Sequence, residues 1–425
     1  MKLYKRKFCE LYEMSSGIST KPEQSGHGSP FLSFSSVFKN YFLEDNLKDL
    51  MYTSKNEQNK YSIKKGDIFL TRTSETIHEL GMSSVALKDY ENATYSGFLK
   101  RLRPIQNDQT YYKYMAFYLR SKIFRDTMTN NAVLTLRASL NEDIFSYIDL
   151  LLPPYEEQKK IGDFLFLIEE KLKTNNKIFS KLENIIEEIF RQWFIQFQFP
   201  DSNGKAYKSN NGEMVYSKTL KKEIPIGWDC LTLSEVIDNV RTGLNPRKHF
   251  SLGEGKNFYV TIKNINQSKV ILDDKCDMIN DEAIKIINKR SDLKSGDILF
   301  TSIEPVGTTY LISKKPNNWN INESVFSIRP DKNKISSEIL YLLLGSKEMK
   351  AYTKNVSAGS IHKGIRIELL KTFNFCFGPK EIMTNFTQII KPKFDYLKKI
   401  EEENSKLINF RDWILPMLIN GQIKI

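Results

Sequence analysis

The chain has 425 residues, too long for one ordinary domain and suited to two or three. Hydrophobic residues make up 40% and charged residues 27%, which fits buried cores and argues against global disorder, while 63 Lys and Arg against 51 Asp and Glu leave a net charge of +12 that suits a polyanion such as nucleic acid and also serves plain solubility. Cys9, Cys230, Cys276 and Cys376 are scattered, as are His27, His78, His249 and His362, which argues against a disulfide framework, a zinc ribbon or a His-rich metal cluster.

In chain order, residues 1–17 are basic but carry no apolar h-region, so no signal peptide is expected. No apolar run approaches the roughly 20 residues of a membrane helix. A soluble cytoplasmic protein without a membrane segment is the expectation. Residues 1–152 show short apolar runs broken by Gly, Asn, Asp and Pro, such as Asp67 to Arg72 and Ser84 to Leu87, which read as strands with turn punctuation. A helix is expected over Tyr111 to Arg125. Pro153-Pro154 then stops the last strand and opens a helix, residues 153–199. Its apolar positions run Ile161, Leu165, Ile168, Leu172, then Phe179, Leu182, Ile186, Ile189 and Trp193. That 4-3 alternation, broken only by Asn175, fits a coiled-coil seam better than the broader stripe of a bundle helix, and Asn175 reads as a register-setting polar position. About 40 such residues would span roughly 60 Å.

Residues 200–225 read as a polar linker, rich in Lys, Asn, Ser and Gly. Residues 226–378 repeat the mixed pattern, with strands expected at Asp297 to Thr301 and Ser324 to Arg329 and a helix over Ser336 to Tyr352. Residues 379–425 form a second long helix with a looser stripe (Ile382, Phe386, Ile389, Ile390, Phe394, Leu397, Ile400, Leu407, Ile414), which Pro392 should kink or delay. If the two helices pack antiparallel, each buries the other's seam.

The chain repeats itself at long period. Lys65-Gly66-Asp67-Ile68-Phe69-Leu70-Thr71 is echoed by Ser295-Gly296-Asp297-Ile298-Leu299-Phe300-Thr301, a step of 230 residues. Gly17 and Gly243 lie 226 apart, Pro154 and Pro379 lie 225 apart, and Trp193 and Trp413 lie 220 apart. Four matches in one order at a nearly constant step indicate tandem duplication. The expected fold is α+β: two tandem mixed domains, mainly antiparallel, separated by two long antiparallel helices in a pseudo-twofold arrangement.

Motifs for catalysis are missing. There is no GxxxxGK[ST], no GxGxxG after a strand, no GxSxG and no HExxH. Leu152-Pro153-Pro154-Tyr155 echoes the Asn/Asp-Pro-Pro-Tyr/Phe of amino-methyltransferases, but Leu152 cannot accept a hydrogen bond from a target amine, so a strand-to-helix junction is the better reading. Asp67 and Asp297 sit at Gly-Asp turns and read as turn formers rather than metal ligands. No catalytic residue, metal or cofactor is expected.

The run Leu151-Leu152-Pro153-Pro154-Tyr155-Glu156-Glu157-Gln158-Lys159-Lys160-Ile161 resembles the opening of the central helix in the specificity (S) subunit of type I restriction–modification systems, often called HsdS. Asn175-Asn176-Lys177-Ile178, Ile189 to Phe194, Ile224-Pro225-Ile226-Gly227-Trp228 and the C-terminal Arg411 to Ile423 support the resemblance, which covers almost the whole chain. Two departures stand out: the first domain lacks a Pro-x-Gly-Trp opening, and Gly378-Pro379-Lys380-Glu381-Ile382 lacks the Pro-Pro and Glu-Gln of the first helix. The resemblance implies a non-catalytic subunit in which each mixed domain reads one half of a split double-stranded DNA target. It also implies helices that set the spacer and dock two methyltransferase subunits carrying the S-adenosylmethionine site, with restriction subunits recruited in addition.

Basic and hydroxyl side chains near tight Gly turns suit phosphate contact and base readout. In the first domain they are Thr71, Arg72, Thr73 and Ser74, with Arg137 and Ser139. In the second they are Arg241, Arg247, Lys248, Thr301, Ser302, Ser360, Lys363 and Arg366. Each of them, taken singly, fits an ordinary solvated surface as well. For subunit docking the helices offer Tyr155, Gln158, Phe166, Trp193, Phe194 and Trp413, with Trp193 on the seam and better suited to internal packing. Two other classes stay open at this point. A DNA methyltransferase or nuclease with intrinsic activity would need motifs not found here. A protein-only coiled-coil scaffold would show no salt-dependent DNA binding.

Overall fold

The computed structural model describes residues 2–425 except 20, 75–79, 132, 135–137, 140–141, 267–268 and 358–363. The chain divides into two compact units, Met1–Asn176 with Glu402–Ile425, and Lys177–Glu401. Both long helices contribute residues to both units.

The first unit is built on a four-stranded antiparallel sheet in the order Tyr12–Ser16, Leu99–Pro104, Ile68–Thr71, Ser83–Val85. Strand alternation decides what each face buries. Ile68 and Leu70 point into a core with Tyr114, Phe117, Ile161 and Leu165, whereas Phe69 points the other way, against Leu32, Ala86 and Tyr95. A central strand covered on both faces explains why Ile68 to Leu70 is an unbroken apolar run and all four strand residues are buried. The second face is covered by a three-stranded sheet, Asp49–Met51, Ser25–Leu32, Thr94–Tyr95, in which the last pair is parallel. Tyr4–Lys7 pairs antiparallel with Asp149–Leu152 and so brings the start of the domain to the strand that feeds the central helix.

The second unit repeats this plan strand for strand. Ile237–Thr242, Val325–Pro330, Ile298–Thr301 and Thr309–Leu311 form the four-stranded sheet in the same order. Asp277–Ile279, Asn257–Val260 and Trp319–Ile321 form the three-stranded sheet, again with one parallel pair. Asp229–Thr232 pairs with Asn374–Phe377. Here too Ile298 and Phe300 face a helical core with Leu340 and Trp193, and Leu299 faces Val260 and Ile321. The duplication read from sequence is a duplication of topology.

The helix expected over Tyr111 to Arg125 is two helices, Tyr112–Tyr118 and Lys122–Asn131. Ser121 marks the break: its hydroxyl donates to the Tyr118 carbonyl at 2.6 Å, and its own carbonyl accepts from the Arg125 N–H. Ser346 divides Ser337–Gly345 from Lys347–Ser357, its hydroxyl accepting from the Met349 N–H as an N-cap.

The central helix spans Tyr155–Phe190 and continues as a π turn, Arg191–Ile195. The second long helix spans Lys380–Ile419 without a break at Pro392. Its stripe stays in phase through the proline, and Lys393 Nζ donates to the Ile389 carbonyl at 2.8 Å beside it. In the first unit the helix segments run antiparallel: Arg411 bonds Glu169 at 2.6 Å, and Asn175 bonds Glu403 and Asn404 at 2.8 and 2.9 Å. In the second unit Phe386 receives Phe190, Trp193 and Phe194, ring centroids 6.1, 5.4 and 4.8 Å away.

The stretch read as a polar linker is folded. Met214–Ser217 and Lys222–Pro225 form a hairpin. Phe199, just before the stretch, stacks on Tyr207 within it at 4.7 Å and on Trp228 just beyond it at 5.1 Å.

Candidate nucleic-acid interface

At one end of the first unit's main sheet the chain makes three close approaches. Gly17 abuts the Ser96 carbonyl where a Cβ would overlap it, and the Gly97 N–H donates to the Ile18 carbonyl at 2.7 Å. The Arg72 N–H donates to the Phe98 carbonyl at 2.8 Å, which sets the first residue past the central strand against the Ser96–Leu99 turn. Thr73-Ser74 then pairs with Ala138-Ser139, so two candidate clusters that lie far apart in sequence meet in one small sheet. Arg72 is exposed here. Thr71 is buried, and its hydroxyl accepts from the Met82 N–H at 2.9 Å. The side chains of Thr73, Ser74 and Ser139, and all of Arg137, lie outside the described residues.

The same end of the second unit uses the same contacts. Gly243 abuts the Ile321 carbonyl, and its N–H donates to the Asn322 carbonyl. The Ser302 N–H donates to the Ser324 carbonyl at 2.9 Å, the counterpart of Arg72 on Phe98. Ile303 bridges Gly364, and the Ile365 N–H donates to the Ser302 carbonyl, which brings Arg366 alongside. Arg366 and Arg247 are exposed, and Asn245 caps the short turn bearing Arg247 by accepting its N–H at 3.0 Å. Asn245 also donates to Glu323 at 2.7 Å, placing a carboxylate in this end that has no counterpart among the described residues of the first unit's cluster of contacts.

Two candidates in the second unit turn inward, and a third, Arg241, is half-buried in an ion pair. Thr301 is buried, its hydroxyl donating to the Pro305 carbonyl and accepting from the Thr308 N–H. Ser302 is buried and donates to the Ser324 carbonyl at 2.8 Å. Arg241 lies mid-ladder opposite Ser327, 3.4 Å from Asp292, a carboxylate shared with Arg329 and Lys294. Burial raises the Asp292 pKa, but Arg329 and Lys294 outweigh it and hold the carboxyl below its usual range. Thr71, Thr301, Ser302 and Arg241, expected at the DNA for their residue types and their places near the Gly turns, make these polar contacts within the fold. Ser360, Lys363 and the Lys248 side chain lie outside the described residues.

The docking candidates separate in the same way. Gln158 is buried, accepting the Tyr111 N–H and donating to the Gln109 and Pro153 carbonyls, so it staples the helix start to the domain. Trp193 and Phe194 are core residues of the second unit, as the seam position of Trp193 implies. Phe166 is half-buried under Lys113 and edge-on to Phe42, and Tyr155 is half-buried beside Tyr111. Trp413 is 63% exposed, with Phe410 beside it at 6.2 Å.

Among the described residues no group of three or more His, Cys, Asp or Glu could hold a metal ion, and no helix is long and apolar enough to cross a membrane.

Residues 8–184 and 225–409 match the family model described as the type I restriction modification DNA specificity domain. The chain belongs to this family. It is a type I DNA specificity subunit, and the two matched stretches are the two repeats. It is 24% identical to the MjaIX specificity subunit of Methanocaldococcus jannaschii over 85% of this chain and 78% of that one. It is also 24% identical to the HindI specificity subunit of Haemophilus influenzae over 92% and 94%. The crystal structure of a type I system S subunit from M. genitalium shares the fold, with a TM-score of 0.58 at 14% identity, covering 98% of this chain and 96% of that one.

In this specificity subunit, sequence reasoning passed over Phe98, 63% exposed on the turn that receives Arg72, and the Asn245–Glu323 pair. The signal for Phe98 was an aromatic directly after the Ser96-Gly97 turn, where a strand should already be burying its apolar residues. Glu323 carried none, because its pairing with Asn245, 78 residues away, depends on the fold.

Proposed function

We propose that this specificity subunit reads a two-part DNA target, one part with each mixed domain, and performs no chemistry itself. The observation that carries the reading is the repeated end of the main sheet. The Gly17 and Gly243 approaches and the Arg72–Phe98 and Ser302–Ser324 backbone bonds are the same scaffold, dressed with different side chains. One scaffold carrying two surfaces is what reading two different short sequences requires.

The exposed Arg72, Arg247 and Arg366 supply phosphate or guanine contacts, and the net charge of +12 supports attraction to the duplex. The long helices set the gap between the two parts and dock two methyltransferase subunits, through exposed apolar side chains such as Trp413 and Phe410. Methyl transfer and cleavage belong to those partners and to restriction subunits, in the cytoplasm where host DNA lies.

The test is binding of the assembled methyltransferase complex to a duplex bearing its target, measured across salt concentration. Affinity should fall linearly on a log–log plot, with a slope set by the number of phosphates neutralised. Arg72→Ala and Arg247→Ala should each make that slope shallower. Salt-independent association would leave a protein-binding scaffold, and methylation by the isolated chain would remove the non-catalytic reading.

A further inference from the structure

Phe98 is a large apolar side chain, 63% exposed at the tip of the Ser96–Leu99 turn. The backbone beneath it is fixed from several sides. Its N–H donates to the Ser96 hydroxyl at 3.2 Å, its carbonyl accepts the Arg72 N–H at 2.8 Å, and the Leu99 N–H closes the turn on the Ser96 carbonyl at 2.9 Å. Gly97 and Gly17 allow the adjoining backbones to touch. A phenyl ring held out this firmly needs no further ordering of its backbone when it binds, which favours recognition. Arg72 is its immediate neighbour, with Nη1 3.5 Å from the Gly97 carbonyl.

We propose that Phe98 is a specificity-determining residue that packs on the 5-methyl group of a thymine in the part of the target read by the first domain. The inference rests on the DNA-reading function above. A phenyl ring has no donor or acceptor with which to read base-edge nitrogens and oxygens, and the thymine methyl is the apolar group on the major-groove edge. The second domain supports the assignment. Its Ser324 lies 226 residues on, the same step as Gly17 to Gly243, and its carbonyl holds the Ser302 N–H as Phe98 holds Arg72. Position for position, the scaffold offers a phenyl in one domain and a hydroxymethyl in the other. That is how one backbone acquires two base preferences.

The test uses the assembled methyltransferase complex on duplexes in which each thymine of the target is replaced in turn by uracil, which keeps pairing and removes only the methyl. With the wild-type subunit, one replacement should weaken binding about fourfold, the loss expected for one buried methyl. Phe98→Ala should bind the unmodified duplex more weakly and lose that one sensitivity, while Phe98→Leu retains part of it. Because Phe98 is exposed, both variants should keep the wild-type melting temperature.

Uracil sensitivity that is unchanged in Phe98→Ala overturns the assignment. So does a target part without an A·T pair. Weaker binding by Phe98→Ala with no uracil effect in either protein would make the ring a wedge between base steps, and would likewise overturn it. Failure of the wild-type complex to bind any DNA selectively shows itself separately, and removes the function on which the inference rests.

Discussion

Arg103 grips Asp67 with two parallel hydrogen bonds, Nε to Oδ1 at 2.7 Å and Nη2 to Oδ2 at 2.6 Å. Asp67 is 1% exposed, and its Oδ2 also accepts the Lys64 N–H that closes the turn. In the second unit Arg329 grips Asp297 in the same fork at 2.8 and 2.8 Å, with the Lys294 N–H in the matching place. The hydrogen bonds that the guanidinium groups donate to these carboxylates lead in raising the pKa of both arginines. Each fork ties the start of the central strand to its neighbour at the end of the sheet where the helices pack. The Gly-Asp turns are therefore structural, and each is half of a buried ion pair.

Removing one partner of a buried pair strands the other without solvent. Asp67→Asn should cost on the order of 3 kcal/mol, read as a lower urea midpoint with hydrogen exchange accelerated across residues 64–104. The matching Asp297→Asn should accelerate exchange across residues 294–329 instead. A change within error for both variants would show that the forks contribute little.

Much of this was legible in the sequence because it depends on local pattern. The repeated Gly-Asp runs gave the duplication, and the 4-3 stripe gave the central helix. The ion pairs were missed although Leu102-Arg103-Pro104 and Ile328-Arg329-Pro330 repeat at the same step, because a salt bridge between neighbouring strands needs strand order, which one sequence does not supply. The helix breaks at Ser121 and Ser346 were missed because both lie inside apolar stripes that continue across them. The site was only half legible: residue type marks Arg72 and Arg247, but the inward turn of Thr71, Thr301 and Ser302 follows from turns that close after the central strand.

Asn175 is 2% exposed and donates to both Glu403 and Asn404 across the helix pair of the first unit. Asn175→Ala should lower stability by about 1–2 kcal/mol, as expected for lost hydrogen bonds to a charged partner. Asn175→Leu should also loosen the register, since an apolar side chain no longer penalises a shifted alignment. Spin labels at Glu169 and Arg411 positions would report a single distance in the wild type and a broadened one in Asn175→Leu. A single unchanged distance would remove the register role.

Trp413 lies on the surface beside Phe410, so Trp413→Ala should leave the melting temperature unchanged. Exposed aromatics of this kind are frequent anchors of interfaces. The variant should recover at least tenfold less methyltransferase subunit by co-purification. Recovery equal to wild type would place the docking surface elsewhere on the helices.

Burial, aided by Asp277 and Asp273, pushes the Cys276 thiol up to about 11, and burial pushes that of Cys376 up to about 12. Because the thiolate is the reactive form, both should resist iodoacetamide at pH 8 in the folded chain. Their rates should rise about tenfold for each pH unit below those values, and both should react fast in urea. Rapid alkylation of native Cys376 at pH 8, followed by peptide mass mapping, would contradict its buried setting.

The most direct measurement is methylome sequencing of host DNA after co-expression of the subunit with its methyltransferase partner. The account predicts a split motif, two short specific parts around a fixed gap. Arg72→Ala should relax one part and Gly243→Ala the other, because a Cβ at Gly243 would displace the turn that shapes the second domain's reading end. A continuous motif, or two variants that relax the same part, would contradict the reading of one target part by each domain.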